Sequence, residues 1–199
     1  MRKWGRFNLE NENKDFHAPP ELFQQTWQQV VDELNGESER ACAIVGGVFL
    51  DDLLENLLGI YLVDNRDARN DLLGSERLTT PLGNFGARVL AAYAIGLIDA
   101  NHYKALKKVQ KIRNRFAHDL SLNFEEPLIS KLCKELSQLC DTRRNTERTP
   151  REIFQDSVAF LGGTLDCLLY VVKTFEIKGT FKKVFKLASD QVKYKKKIE

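Results

Sequence analysis

At 199 residues and 22.8 kDa, with 43% hydrophobic residues, the chain has the length of one domain and the apolar content for a core, which excludes disorder throughout. Its 28 acidic and 30 basic residues leave a net charge of +2, too near neutral to mark the whole chain as a nucleic-acid binder. That sum hides an asymmetry, because eight lysines against Asp190 and Glu199 give the end from residue 178 a charge of +6 and leave −4 for residues 1–177.

Acidic residues Asp51, Asp52 and Glu55 interrupt the most apolar early segment, so no run reaches the ~20 continuous apolar residues of a membrane helix. The charged start, MRKWGRFNLENENKDF, lacks the apolar block of a secretory signal. Cys42, Cys133, Cys140 and Cys167 lie scattered in apolar segments with no C-x-x-C pair, a pattern of buried thiols in a reducing cytoplasm.

Apolar residues repeat at three and four rather than at two, which predicts an all-α chain of about six or seven helices in one compact bundle. A polar arm, residues 1–18, precedes the bundle, residues 19–177, and a lysine-rich extension, residues 178–199, follows it. Pro19 and Pro20 lead into ELFQQTWQQVVDELN, a first helix ending at Gly36. The next run, from about Glu37 to Asp64, is apolar over most of its circumference and reads as the central helix. A polar stretch, NRDARNDLLGSERLTT, breaks the pattern before Thr80 and Pro81, read as an N-cap and first-turn proline of a helix rich in small residues. Asp99 caps ANHYKALKKVQKIRNRFAH, Pro127 opens a helix through Cys140, and Thr149-Pro150 starts a long apolar helix to about Ile177.

The helix after Asp99 carries six cations before the next acid: Lys104, Lys107, Lys108, Lys111, Arg113 and Arg115. The lysines and Arg115 form a candidate phosphate-binding or RNA-binding face. Near its end, Asn114 and His118 stand one turn apart on one face, with Arg113 about 100° round from Asn114. An arginine, an amide and an imidazole suit a phosphodiester: the guanidinium holds two oxygens, and histidine moves protons near neutrality without metal or cofactor. In RNA the 2′-hydroxyl supplies the nucleophile, so cleavage would leave a 2′,3′-cyclic phosphate and a 5′-hydroxyl. A single histidine serves poorly as both base and acid, which favours a homodimer with two facing motifs.

RNRFAH resembles the R-N-x-x-x-H signature of the HEPN superfamily of small helical bundles, whose motif lies on a late helix and pairs across a dimer cleft. The resemblance implies Arg113 as phosphate ligand, Asn114 as orienting group and His118 as the histidine of a metal-independent endoribonuclease, of a toxin or defence kind with an antitoxin partner. From about Arg40 to His118, and more loosely to Ile177, the chain is also similar to the mannitol operon repressor (MtlR) family: the apolar second helix, Pro81-Leu82-Gly83 with Arg88, Tyr93 with Gly96 to Ile98, and the helix ending in Arg113 and His118. This second resemblance implies a non-catalytic transcriptional regulator acting through DNA or a regulatory protein.

Other candidates are weaker. His102 lacks a companion ligand at i+4 and reads as a surface polar residue, and His17 lies in the arm. Asp51, Asp52 and Glu55 read as ion-pair partners of arginines such as Arg88 rather than as a metal site. Phe181, Val184, Phe185 and Leu187 alternate with lysines in the C-terminal extension, a pattern that binds phosphates or acidic surfaces by charge.

Overall fold

A computed structural model describes residues 18–62, 65–74, 80–140 and 148–174, and these form seven α-helices with no strand among them. Three of them match the predicted starts closely. Helix α1 (Pro20–Asn35) has proline at its first turn. Helix α6 (Pro127–Leu139) begins with Glu126 accepting from the Ile129 N–H at 3.0 Å. Helix α7 (Pro150–Thr174) opens on a reciprocal cap, where the Thr149 N–H and hydroxyl donate to Glu152 at 2.8 and 3.0 Å. The two terminal segments lie outside the described residues, so the charge pattern there keeps its sequence reading.

Helices α2 (Glu39–Tyr61) and α7 form the centre, with α1 laid along both. A broad side of α2 is buried, with Leu50, Leu54, Leu57 and Leu58 fully so, as expected of a helix apolar over most of its circumference, while Val48, Asp52 and Asn56 are exposed on the opposite side. Close approach is made by glycines. A methyl group at Gly162 of α7 would stand 2.4 Å from the Phe49 ring, and one at Gly163 would stand 2.7 Å from the Phe23 ring. Polar ties fix the register: the Thr26 hydroxyl donates to Asp166 at 2.7 Å, and Arg151 donates to the Leu34 carbonyl at 3.2 Å and to that of Glu37.

Two sequence expectations need correction. The polar stretch after Asp64 contains α3 (Arg66–Leu73), capped by the Asn65 side chain and anchored through buried Leu73. Eight residues with one fully buried position leave too little periodicity to see. The next helix, α4 (Phe85–Ala94), begins not at Thr80 and Pro81 but after Asn84, whose side chain accepts from the Ala87 N–H at 3.0 Å. Thr80 instead donates to the Gly74 carbonyl at 3.1 Å and pins the α3 exit to the turn before α4. Gly96, at φ +76°, ends α4 in the left-handed region that glycine enters freely.

Arg88 of α4 is 4% exposed and pairs with Asp51 at 2.6 Å and Glu55 at 2.5 Å, and it also donates to the Leu73 carbonyl at 3.4 Å. The acidic residues inside the apolar α2 are therefore ion-pair partners, as read from the sequence. Helix α7 is long and apolar enough to cross a membrane by length and composition. Its Phe154, Val158, Leu161 and Leu165 are fully buried in the bundle, which is the use this helix makes of its apolar surface.

Candidate functional site

Helix α5 (Ala100–His118) starts at Asp99, whose carboxylate accepts from the N–H groups of Asn101 and His102 at 2.8 and 2.9 Å. Those bonds, together with the His102 ring, hold the Asp99 carboxyl below its ordinary range. The inward stripe of α5 is Leu106, Val109, Ile112 and Phe116, all fully buried, with the Phe116 ring 4.9 Å from Phe124 and Phe124 in turn 5.3 Å from Phe154. Burying this stripe turns the cations outward.

Between α5 and α6 runs a groove of about 1150 Å³. Its α5 wall carries Lys104, Lys107, Lys108, Lys111 and Arg115, continuing through Asn114 to His118. Lys131 and Glu135 rise from α6, and Leu128, Leu132 and Leu139 supply apolar surface. Lys108 spans the groove to Glu135 as an ion pair, which lowers the Glu135 carboxyl. Lys131, Glu135 and the leucines were not singled out from the sequence. The signal was available, since Leu128, Leu132, Glu135 and Leu139 recur at three and four along α6.

The three motif residues do not share one place. Asn114 and His118 are exposed and line the groove. Arg113 is half-buried and does not line it; its stem lies on α2, where a methyl group at Gly47 would stand 2.8 Å from Arg113 Cδ. Five residues of helix separate Arg113 from His118 by about 140° of turn, against about 40° for Asn114 and His118. Arg115 is the motif-region arginine that shares the groove with His118. Just beyond, Asp119 accepts from the Ser121 N–H at 2.9 Å and hydroxyl at 2.7 Å, fixing the turn after α5 and lowering its own carboxyl. Arg40 donates to the Ala117 carbonyl at 3.3 Å, so the last turn of α5 is also tied to the start of α2.

Two aromatic rings line the groove among the described residues: Tyr103, which is already stacked on Tyr93 of α4 with centroids 4.7 Å apart, and the exposed imidazole of His118 at one end. His102 is not the surface residue expected: its ring lies parallel to Phe160 at 6.1 Å, Nδ1 is 2.9 Å from Asp99, and Nε2 is buried. Among the described residues no group of three histidine, cysteine or acidic side chains converges as a metal site. All four cysteines are free, with Cys42, Cys133 and Cys140 buried.

No family model matches the chain, and no curated protein matches it. Among solved structures it is similar to a chain of the MtlR-HPr complex from Escherichia coli, with 18% identity and a TM-score of 0.56 over 73% of this chain and 99% of that one. At that identity the likeness is one of fold, and it places the all-α bundle beside MtlR.

Proposed function

We propose that the protein is a non-catalytic regulator that works by holding a partner protein in the α5–α6 groove. One observation carries this reading: the groove pairs an apolar surface of Leu128, Leu132 and Leu139 with a rim of cations, and its one tyrosine ring among the described residues is stacked on Tyr93, which leaves only the His118 imidazole at one end. Single-stranded RNA is held by stacking its bases on exposed aromatic rings, with charge along the backbone. A helix or loop with an apolar face and acidic edges meets both features of this groove. The MtlR chain of similar fold was solved with a protein partner, HPr, which supports the same reading and makes purified HPr a natural probe.

A second reading, metal-independent RNA cleavage, has its own support. Asn114 and His118 stand together at one end of the groove, and Arg113 makes no ion pair among the described residues. On that reading His118 would move protons and Arg113 or Arg115 would hold the phosphate of an RNA lying along the lysines.

Fluorescence anisotropy separates the two readings. The probes are a labelled helical peptide, leucine on one face and glutamate on the other, and a labelled single-stranded RNA, both at about 0.15 M salt. The peptide is expected to bind more tightly than the RNA and to weaken about tenfold or more with Lys104→Glu plus Lys111→Glu. Tighter RNA binding, or peptide binding indifferent to these reversals, would contradict the proposal.

A further inference from the structure

Helix α4 carries one charged residue, Arg88, and that residue is buried. Its outward side is therefore uncharged and largely apolar: Leu90 is 55% exposed and Tyr93 41%, and Ile95, just past the helix end, is 41% exposed. A helix apolar on every side belongs inside a larger body. Such a face on a lone protomer marks an interface. At about 15 Å long, ten helical residues cover far less than the ~800 Å² that each side of a stable interface buries, so the neighbouring helices must join in and their charges matter.

Those charges differ in sign on the two sides of α4. Helix α5 borders it through the Tyr93–Tyr103 stack and through Gln110, which a methyl group at Gly86 would meet at 2.4 Å. Exposed Lys107 stands there and donates to Gln110 at 2.7 Å. Helix α2 borders the other side through the Arg88 ion pairs to Asp51 and Glu55, and the outer ridge of α2 next to them carries exposed Asp52 and Val48, which line a surface pocket with Glu33 of α1. An apolar stripe with a cationic and an acidic flank is complementary to itself in one arrangement. With a twofold axis running along α4 and the two α4 helices parallel, each cationic flank faces the partner's acidic flank. With the axis across α4, lysines face lysines.

We infer that the α4 face is a homodimer interface, with two copies related by a twofold parallel to α4 so that Lys107 of each faces Asp52 of the other. Lys107 also stands at the edge of the groove, so the interface shares that one residue with it, while Lys104, Lys108, Lys111 and Arg115 remain with the groove alone. In this arrangement the two α5 helices lie on opposite sides of the axis and both grooves open outward, available to a partner.

Sedimentation of the full chain between about 1 and 100 µM tests it. The wild type is expected to dimerise. Leu90→Asp, and the milder Leu90→Gln, should raise the dimer dissociation constant at least about tenfold while far-UV circular dichroism stays unchanged, since the residue is largely exposed, and melting should differ from the wild type only at concentrations where the wild type is dimeric. Lys107→Glu and Asp52→Lys should each weaken the dimer about two- to tenfold, and the two reversals in one chain should restore it. A monomer at the highest concentration, a dimer indifferent to both Leu90 variants, or a double reversal that fails to restore association would overturn the inference.

Discussion

Burial governs the cysteines residue by residue. The Cys42 thiol is pushed up to about 11, and those of Cys133 and Cys140 to about 12, because the apolar core disfavours the thiolate; Cys167, less enclosed, is raised by desolvation and by Asp166. Native protein at about pH 8 should therefore react with iodoacetamide at Cys167 alone, while all four label in denaturant. Mass spectrometry of the labelled peptides reads this, and rapid native labelling of Cys133 would show that the core is open. Arg88 shows the complementary case. Its position in α4 gives no sequence sign of burial, yet the carboxylates of Asp51 and Glu55 on adjacent turns of an apolar helix imply a cation from elsewhere, and Arg88 supplies it. The motif residues were legible as types but not as a constellation. Which way Arg113 turns depends on Gly47, some sixty-six positions earlier in the chain, and that close approach has no local signature.

At the scale of elements, the caps were the most readable feature. Asp99, Pro127 with Glu126, and Thr149 with Glu152 each act where side-chain chemistry alone decides the first turn. Thr80-Pro81 carries the same local signal and fails, because Asn84 offers a cap four residues after Thr80 and Thr80 is drawn to the Gly74 carbonyl. The Asp99 cap also carries a pH dependence. Its carboxyl is lowered from 3.8, first by the His102 N–H and then by the His102 ring, so its contribution to folding is complete above 3.8 and lost as the pH falls through the lowered value. The side chain is 65% exposed, and solvent screening limits the contribution. Asp99→Ala is expected to cost about 1 kcal/mol near neutral pH and to become nearly silent once the pH is well below that of the free carboxyl. Urea melts of both proteins across this range check it, and a cost that grows toward acid would contradict the assignment.

For the molecule as a whole, periodicity revealed six of the seven helices and their order, because each buries a stripe of three or more residues; α3, with Leu73 alone fully buried, fell below that level. The groove was half legible. Its cationic wall is written consecutively along α5, whereas its apolar surface comes from α6 and exists only once the two helices pack. That packing shifts the balance of the functional reading. Six lysines and arginines along α5 beside a histidine motif suit RNA, whereas the five of them that line the groove, set above leucines and with its one tyrosine ring already stacked, suit a protein partner. The most direct test of a binding groove without chemistry is incubation of the purified chain with end-labelled RNA in EDTA beside the His118→Ala variant. The expected result is intact RNA with both proteins. Cleavage by the wild type, leaving 2′,3′-cyclic phosphate ends and abolished by His118→Ala, would contradict it and establish the nuclease.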